Sequence, residues 1–175
     1  MPDDDRVRPT GDRVREAWMS IVNAAIPGAR VLDLYAGSGA LGLEALSRGA
    51  TVAHFVETAP QSITTINANA AALGAGARAV IHRADALKYL AGLGTERFDI
   101  AFADPPYDQG IATRLAERWL EAPFADILGI EHRRDERLPG SDDRRKYGDT
   151  VITFFRAGAS GDDSATFSDT TDSEF

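Results

Sequence analysis

The positions of apolar residues along the chain follow two alternating periods. Short apolar runs, typical of buried strands, are separated by longer stretches in which apolar residues recur every three or four positions, as in amphipathic helices. In the first such stretch Val14, Trp18, Ile21 and Val22 share one side. The predicted helices are 12–25, 39–48, 60–73, 87–93 and 111–121, and the predicted strands are 30–34, 51–56, 79–82, 98–103, 127–131 and 150–156.

This alternation predicts an α/β fold, with helices on both faces of a mostly parallel sheet. The last strand, 150–156, is expected to run antiparallel, in a hairpin with the segment near Arg144. In sheets of this kind a ligand lies at the carboxyl ends of the strands. Acidic residues stand at four successive strand ends, so we expect a ligand site at this edge. They are Asp33, Glu57, Asp85 and Asp104.

An acidic residue, two prolines and an aromatic residue follow the predicted strand 98–103, as Asp104-Pro105-Pro106-Tyr107. The Asp104 carboxylate and a backbone carbonyl of this turn can accept the two N–H bonds of an exocyclic amine, while the Tyr107 ring stacks on the plane that carries it. Proline fixes φ and lacks an N–H donor, so the two prolines hold the acceptors in place. The motif therefore indicates a site that grips a planar ring through its amine, although Asp-Pro is also common in ordinary turns.

A second motif, from Val31 to Gly42, joins a short apolar strand to a glycine turn and a helix. Residues 37–42 match G-x-G-x-x-G, in which glycines permit a tight turn and a close approach of the backbone to a ligand. Glu57 lies 20 residues beyond Gly37, where an acid that binds a ribose is expected. This much of the pattern fits a dinucleotide site and an S-adenosylmethionine site about equally well.

Asp33, placed before the glycines, favours S-adenosylmethionine. A dinucleotide carries a pyrophosphate, which a further carboxylate at the turn would repel. S-adenosylmethionine has no phosphate, and its α-amino group and sulfonium are cationic, so a carboxylate attracts it. Asp33, Gly37, Gly39 and Glu57 together therefore indicate an S-adenosylmethionine site. The alternative that Asp33, Glu57 and Asp85 serve only as helix caps stays open, because acids are favoured at such positions.

The composition limits the classes of protein to which the chain can belong. With 175 residues, 43% of them hydrophobic, it can form one core and is expected to be a single domain. No apolar run approaches the ~20 residues that span a bilayer, and we expect no signal peptide. The chain has no cysteine, which excludes disulfides and Cys nucleophiles. Its three histidines are scattered, so we expect no metal site, and a cytoplasmic enzyme fits these features.

The net charge of −8 comes from the two ends of the chain. Residues 157–175 hold five acids and no base, Asp3 to Asp5 add three acids, and residues 6–156 hold 19 acidic and 19 basic residues. We expect 157–175 to be an acidic disordered tail, because it is rich in Ser, Thr, Asp and Gly. The basic residues of the neutral body cluster, as phosphate contacts require, although solvated faces are an equal alternative for the second cluster. The clusters are Arg6, Arg8, Arg13 and Arg15, then Arg133, Arg134, Arg137, Arg144, Arg145 and Lys146.

Together these motifs resemble the RsmD family, the bacterial 16S rRNA guanine-N2 methyltransferases, which have the class I S-adenosylmethionine-dependent fold. The Asp-Pro-Pro-Tyr motif alone occurs in several groups of amino-methyltransferases. The segment 8–16, Arg-Pro-Thr-x-Asp-Arg-Val-Arg-Glu, points to this family in particular. The matching segments within 6–156 are 8–10 with 12–16, 33–42 with 43–49, 85–86, 104–107 and 146–150.

The resemblance implies a three-layer, Rossmann-like domain over 8–156, preceded by a short arm at 1–7. It implies S-adenosylmethionine as cofactor, S-adenosylhomocysteine as product, and no metal. The partner would be 16S rRNA within an assembled or assembling small ribosomal subunit, and the enzyme would be a cytoplasmic monomer that binds no membrane. The catalytic residues would be Asp104, Pro105, Pro106 and Tyr107. The cofactor would contact Thr10, Asp33, Ala36, Gly37, Ser38, Gly39, Glu57, Thr58, Asp85, Ala86 and Asp104. The RNA would contact Arg8, Arg13, Arg15, Arg144, Arg145 and Lys146.

The chain also departs from the family, and other functions stay open. Family members usually begin with a basic, glycine-containing strand segment, whereas only residues 1–7 precede Arg8 here, and we expect this loss to weaken RNA docking more than cofactor binding. The alternatives are a DNA adenine-N6 or protein glutamine-N5 methyltransferase, a non-catalytic RNA-binding relative of the fold, and an NAD-dependent oxidoreductase. Intact Asp33, Glu57 and Asp104 argue against the non-catalytic relative, and no obvious proton donor supports the oxidoreductase.

Overall fold

The computed structural model describes residues 9–158, so the predicted arm at 1–7, Arg8 and residues 159–175 of the predicted tail lie outside the described residues. The described chain alternates strands and helices in the predicted order. The helices are α1 (Pro9–Val22), α2 (Ala40–Ser47), α3 (Pro60–Leu73), α4 (Ala86–Ala91) and α5 (Ile111–Glu121). The strands are β1 (Arg30–Leu34), β2 (Val52–Glu57), β3 (Ala79–Arg83), β4 (Phe98–Ala103), β5 (Ala125–Arg133), β6 (Arg144–Tyr147) and β7 (Thr150–Arg156).

The seven strands form one sheet in the order β3-β2-β1-β4-β5-β7-β6. Strands β1 to β5 run parallel to one another, β7 pairs antiparallel with β5, and β6 pairs antiparallel with β7. The prediction of a mostly parallel sheet with an antiparallel last strand is therefore confirmed. The predicted hairpin is also present, because β6 begins at Arg144.

The predicted and observed boundaries differ most at α1 and β5. Helix α1 begins at Pro9, before the predicted start at residue 12. Proline suits this place because the first helical residue does not need the N–H that proline lacks. It ends at Val22 and continues as a short 3-10 helix, Asn23–Ala25. Strand β5 is longer than the predicted 127–131 because its pairing with β7 continues to Arg133. Pairing of this kind extends a strand beyond its apolar run, so the hydrophobic pattern underestimates its length.

Helices cover both faces of the sheet. On one face α1, α2 and α3 pack against a layer that includes Phe55 and Phe102, and on the other face α4 and α5 pack around Leu90, Leu115 and Phe155. Burial of one such side chain stabilises the fold by about 1.5–3 kcal/mol. These two layers position the sheet edge that carries the acidic residues. Within residues 9–158, no helix has the length and apolar character needed to cross a membrane.

Helix α1 approaches the sheet closely because position 129 on β5 is a glycine. A Cβ atom on Gly129 would lie 2.6 Å from Nε1 of Trp18 and 3.0 Å from the ring of Phe154. The Trp18 ring instead meets Phe102 edge-on, with the ring centroids 5.5 Å apart. The first turns of α1 are thereby held over the carboxyl ends of β4 and β5.

The register of the sheet places four residues in one row at its carboxyl edge. Leu34 on β1 pairs with Val56 on β2 and with Ala103 on β4, and Ala103 pairs with Ile130 on β5. The residues that follow these four are Tyr35, Glu57, Asp104 and Glu131. After β1 the chain crosses to β2 on one side of β1, whereas β4 pairs with the other side of β1. Sheets of this type bind ligands in the crevice at this point, and the row of four residues borders it.

Candidate active site

A cavity of about 620 Å³ opens at the carboxyl ends of β1, β2, β4 and β5. Its walls come from both predicted motifs, since Glu57 belongs to the glycine-turn set and Asp104 to the Asp-Pro-Pro-Tyr motif. The lining residues are Tyr35, Val56, Glu57, Thr58, Ala84, Asp85, Ala86, Asp104, Pro105, Pro106, Tyr107, Gln109, Ile111 and Glu131. Two motifs that lie far apart in the sequence therefore border one space.

Asp104 follows β4 directly and is accessible from this cavity, while protein atoms surround its carboxyl on the other sides. The resulting loss of hydration raises the pKa of Asp104 from 3.8 to about 6. Pro105 is buried behind it, which holds the turn against the sheet. Near neutral pH the Asp104 carboxyl is therefore mostly ionised and can accept hydrogen bonds, and its pKa is close enough to the pH for it to bind a proton readily.

Tyr107 stands at the outer rim of the cavity with 37% of its surface exposed. The Arg133 guanidinium lies over its ring, 5.1 Å from the centroid, and forms an ion pair with Asp108 at 3.4 Å. Partial burial raises the pKa of the Tyr107 hydroxyl, and a hydrogen bond with Thr150 opposes that rise. An exposed ring whose rotation is restricted in this way offers a flat surface beside Asp104.

Glu131 is a site residue that the sequence analysis did not identify. It lies on β5 beside Asp104, lines the same cavity and is half-buried. Burial raises the pKa of Glu131 from 4.5 to about 8, the charge of Asp104 adds to the rise, and a hydrogen bond with Tyr107 opposes it. One signal was available, because Glu131 is an acid at the end of the predicted strand 127–131, as Asp104 is for its own strand.

The glycine turn after β1 is tied to β2 through Glu57. Its Oε2 accepts a hydrogen bond from the Gly37 N–H at 3.0 Å, and its Oε1 accepts one from the Ala59 N–H at 3.1 Å. Gly37 and Gly39 have φ of 56° and 80°, values that glycine adopts readily. These bonds fix the direction of the Glu57 carboxylate, whose remaining lone pairs can accept hydrogen bonds from a ligand in the cavity.

Tyr35, between β1 and the turn, has a φ of 57°, which is uncommon for a residue with a side chain. Its buried hydroxyl has no hydrogen-bond partner among the described residues, although Tyr35 lines the cavity. Burial raises the pKa of this hydroxyl to about 12. It is thus a neutral donor beneath the cavity wall, a feature that the sequence analysis did not identify.

Asp33 lies beneath the turn and is only 2% exposed. Its Oδ2 accepts a hydrogen bond from the Gly42 N–H at 3.0 Å, in the first turn of α2. Burial raises the pKa of Asp33 to about 8, the Gly42 bond opposes the rise, and the charges of Asp104 and Glu57 add to it. Asp33 does not line the cavity, and a pKa of about 8 leaves its carboxyl mostly neutral near pH 7, which weakens the expected attraction for a bound cation; its cofactor role stays a prediction.

Asp85 caps α4 and also lines the cavity. Its Oδ2 accepts a hydrogen bond from the Lys88 N–H at 3.0 Å, as an N-cap residue does. Thr58 and Ala86 line the cavity beside it. The cap role and the ligand role are therefore compatible at this position. The other predicted cofactor residues of the turn, Ala36, Gly37, Ser38 and Gly39, lie behind Glu57 and are not among the lining residues.

The side chain of Thr10 and all of Arg8 lie outside the described residues, so their predicted roles stay predictions. Arg13 and Arg15 are exposed on α1, and Arg15 pairs with Asp12 at 2.8 Å. In residues 9–158 no three His, Cys, Asp or Glu side chains are grouped as a metal ion would require.

The second basic cluster divides into structural and exposed members. The Arg144 guanidinium donates to the backbone carbonyls of Arg134 at 3.0 Å and Glu136 at 3.2 Å, so it holds the loop before β6. Arg145 is exposed and pairs with Asp143 at 2.8 Å, while Lys146 is exposed beside it. Lys146 and Arg145 are therefore better placed than Arg144 for a phosphate, and RNA contact by all three stays a prediction.

Comparison with known proteins identifies the fold. The solved structure of the Escherichia coli protein yhhF superimposes with a TM-score of 0.75 and 31% identity, covering 85% of this chain and 86% of that one. An RNA methyltransferase from Salinibacter ruber, solved in complex with S-adenosyl-L-homocysteine, superimposes with a TM-score of 0.66 at 12% identity, covering 85% and 93% of the two chains. The predicted three-layer, class I methyltransferase fold is confirmed by these likenesses.

Sequence similarity identifies the family. The ribosomal RNA small subunit methyltransferase D of Escherichia coli K12 is 42% identical over 111 residues, which are 63% of this chain and 55% of that protein. The chain thus spans about half the length of this curated relative. The family described as Conserved hypothetical protein 95 matches residues 1–156. The chain therefore belongs to that family, the RsmD family of rRNA methyltransferases.

Proposed function

We propose that the chain is an S-adenosylmethionine-dependent methyltransferase that methylates the exocyclic N2 amine of a guanine in 16S rRNA of the small ribosomal subunit. The observation that carries this proposal is the placement of Glu57 and Asp104 on the walls of one cavity, since the first suits a cofactor ribose and the second an amine. Family membership supports the rRNA substrate. The enzyme acts in the cytoplasm as a monomer and requires no metal.

The cavity suits S-adenosylmethionine in its donor and acceptor groups. Glu57 offers carboxylate lone pairs toward two hydroxyls of a ribose, Asp85 offers an acceptor for the adenine amine, and the buried Tyr35 hydroxyl is a donor beneath the cavity wall. The glycine turn behind Glu57 leaves the backbone close to the cavity. The Salinibacter ruber relative of this fold, solved with the product, supports the same ligand class here.

The methyl acceptor is held by the Asp-Pro-Pro-Tyr turn. The exocyclic amine of a base is a poor nucleophile, because its lone pair is delocalised into the ring. Asp104 and a carbonyl of the turn accept both N–H bonds, which favours a tetrahedral nitrogen with its lone pair directed at the cofactor. Such positioning contributes much of the acceleration in a reaction between two bound partners. The exposed Tyr107 ring stacks on the base, which is unpaired or turned out of its helix.

S-adenosylmethionine, when bound, supplies a methyl group that bonds to the amine nitrogen as the carbon–sulfur bond breaks and leaves its electron pair on sulfur. Asp104 stabilises the positive charge that develops on the nitrogen and takes the proton that the nitrogen must lose. A carboxyl whose pKa is about 6 suits this exchange, because it is ionised before the reaction and binds a proton more readily than an ordinary aspartate.

The test is transfer of labelled methyl from S-adenosylmethionine to unmodified small ribosomal subunits, followed by digestion to nucleosides. Recovery of the label as N2-methylguanosine in RNA, and its loss in Asp104→Ala, is the expected result. Label on adenine, DNA or protein would contradict the substrate. A protein that binds S-adenosylhomocysteine and transfers nothing to subunits or free 16S rRNA would contradict the enzyme assignment in favour of a non-catalytic relative.

A further inference from the structure

Asp104 and Glu131 form a carboxylate pair at neighbouring strand ends. Ala103 pairs with Ile130, so the two acids follow in register on adjacent parallel strands, whose backbones lie about 4.8 Å apart. Both line the main cavity. Both also line a second pocket of about 180 Å³ on the other side, under α1, with Arg15 and Trp18 on its walls. The two acids therefore lie between the main cavity and the small pocket, and both spaces border them.

Among the side chains that the structure describes, the pair has fewer donors than its oxygen atoms can accept. The Tyr107 hydroxyl interacts with Glu131, and Arg15, which lines the small pocket, is already paired with Asp12 at 2.8 Å. Two nearby carboxylates repel each other unless donors or a proton lie between them. A ligand with several adjacent N–H groups on one edge would satisfy both carboxylates at once.

The Watson–Crick edge of guanine has this arrangement, with the N1–H next to the two N–H bonds of the N2 amine. Adenine and 2-aminopurine differ, because their N1 is an acceptor. Above about pH 8, where Glu131 is ionised, a base with an N1 acceptor would place two lone pairs against each other without a proton between them, whereas a protonated Glu131 could donate to that N1. Such a mismatch of polar groups, once the bound base covers them, discriminates strongly between bases.

We propose that Glu131 is the residue that selects guanine, accepting the N1–H of the target base while Asp104 holds its N2 amine. This inference rests on the proposed function and adds the basis of its specificity. Glu131 touches the substrate base and takes no part in breaking or forming the methyl bonds. Its position at the end of β5, next to Asp104 at the end of β4, sets the edge of the base in line with the Asp-Pro-Pro-Tyr turn.

The experiment compares two mononucleotides that share the 2-amino group and differ at N1 and C6, since guanine has an N1–H and a C6 carbonyl whereas 2-aminopurine has an N1 acceptor and a C6–H; the Glu131 variant isolates the contribution of N1. Guanosine 5′-monophosphate and 2-aminopurine riboside 5′-monophosphate are titrated by NMR into S-adenosylhomocysteine-loaded protein at about pH 8.5, where Glu131 is mostly ionised. We expect the wild type to bind guanosine monophosphate at least about tenfold more tightly, as one charge-assisted hydrogen bond implies. In Glu131→Gln the amide can donate to an N1 acceptor, so the preference should fall at least about fivefold.

The matched control is Glu117→Gln, the same substitution at an exposed position on α5, on the opposite face of the sheet, and it should keep the wild-type preference. A Glu131→Gln protein with the wild-type preference would overturn the proposal, as would failure of the wild type to bind either nucleotide. If Glu131→Gln does not fold, 1-methylguanosine 5′-monophosphate, in which a methyl group takes the place of the N1–H, replaces the variant. Equal binding of this nucleotide and guanosine monophosphate to the wild type would then overturn it.

The same protein preparations separate this inference from the proposed function. Methyl transfer to small subunits by the wild type, with the base preference unchanged in Glu131→Gln, would leave the function intact and reject the role of Glu131. The expected base preference without any methyl transfer would reject the function and retain a guanine-binding site.

Discussion

The Glu57 carboxylate holds the Gly37 amide at 3.0 Å, across the 20 residues that separate them in the chain. The hydrogen bond joins the turn after β1 to the end of β2, so the acid that lines the cavity also positions the loop beside it. A ligand that binds Glu57 therefore meets a carboxylate whose direction is already fixed, which lowers the entropic cost of binding.

Glu57→Gln should weaken cofactor binding. The glutamine amide has one oxygen acceptor in place of two, so either the Gly37 or the Ala59 N–H loses its partner and the turn loosens. We expect the Kd for S-adenosylhomocysteine to rise at least about tenfold, measured by calorimetry. Glu44→Gln is the control, since it breaks only an exposed pair with Arg48 at 3.0 Å and should leave the Kd unchanged. Equal affinities for the two variants would contradict the role of Glu57.

Methyl transfer should increase with pH because two carboxyls must be ionised. Their pKa values are raised by burial, to about 6 for Asp104 and about 8 for Glu131, so protons leave this pair between roughly pH 6 and 8. We expect kcat/KM on small subunits to rise through this range. Asp104→Asn should lower kcat by ~10²–10⁴-fold. An active Asp104→Asn enzyme with the wild-type pH profile would show that another group accepts the proton.

Asp33→Asn should change how stability depends on pH. Burial raises the pKa of Asp33 from 3.8 to about 8, so the folded protein holds this proton more tightly than the unfolded chain. Ionisation of Asp33 therefore destabilises the fold increasingly as the pH rises from about 4 to about 8. Asparagine does not titrate and keeps an oxygen for the Gly42 N–H, so the variant should lose less stability over this range.

Urea unfolding of the wild type and of Asp33→Asn at about pH 5 and pH 8 measures this difference. We expect the free energy of unfolding of the variant, relative to the wild type, to increase by on the order of 1–3 kcal/mol between the two pH values. Asp135→Asn, at an exposed position, is the control. A constant offset between Asp33→Asn and wild type would mean that Asp33 does not titrate in this range.

Gly42→Ala should destabilise the fold through the last glycine of the motif. A Cβ atom there would overlap the Phe55 ring and lie 3.2 Å from Oδ2 of Asp33, both buried beneath α2. Overpacking of this kind costs about 1–3 kcal/mol, measured by urea unfolding. Gly92→Ala is matched to it, because a Cβ there meets nothing nearer than the Lys88 carbonyl oxygen at 3.7 Å. Similar losses in both variants would contradict the packing role of Gly42.

Lys146→Ala should weaken RNA binding through charge alone. Lys146 is exposed on the edge strand β6, so its loss should reduce the slope of log Kd against log salt for 16S rRNA by about one. Arg97→Ala serves as the control, because Arg97 directly precedes β4, at the amino ends of the parallel strands, and pairs there with Asp126 at 3.0 Å. Equal salt slopes for wild type and Lys146→Ala would show that this end of β6 does not contact RNA.

The local pattern alone was enough to predict the order of the elements. Strands 30–34, 98–103 and 150–156 and helices 60–73 and 111–121 were predicted with their observed bounds, because apolar runs and helical periodicity report local burial directly. The motifs were equally local, since each is read within one turn between a strand and a helix. The sequence by itself thus determined the fold class, the family and the likeness to a methyl-transfer site.

Only the tertiary structure decided which acids share the cavity. Asp33 belongs to the motif, yet its side chain points beneath the turn to Gly42, whereas Glu131 belongs to no motif and lies beside Asp104. The register of β4 with β5 produces the second result, and strand register depends on pairing between segments that are distant in the chain. The end of the predicted strand 127–131 marks Glu131 as a candidate, but local sequence patterns do not report which strands pair, so only the folded sheet shows that Glu131 lies beside Asp104.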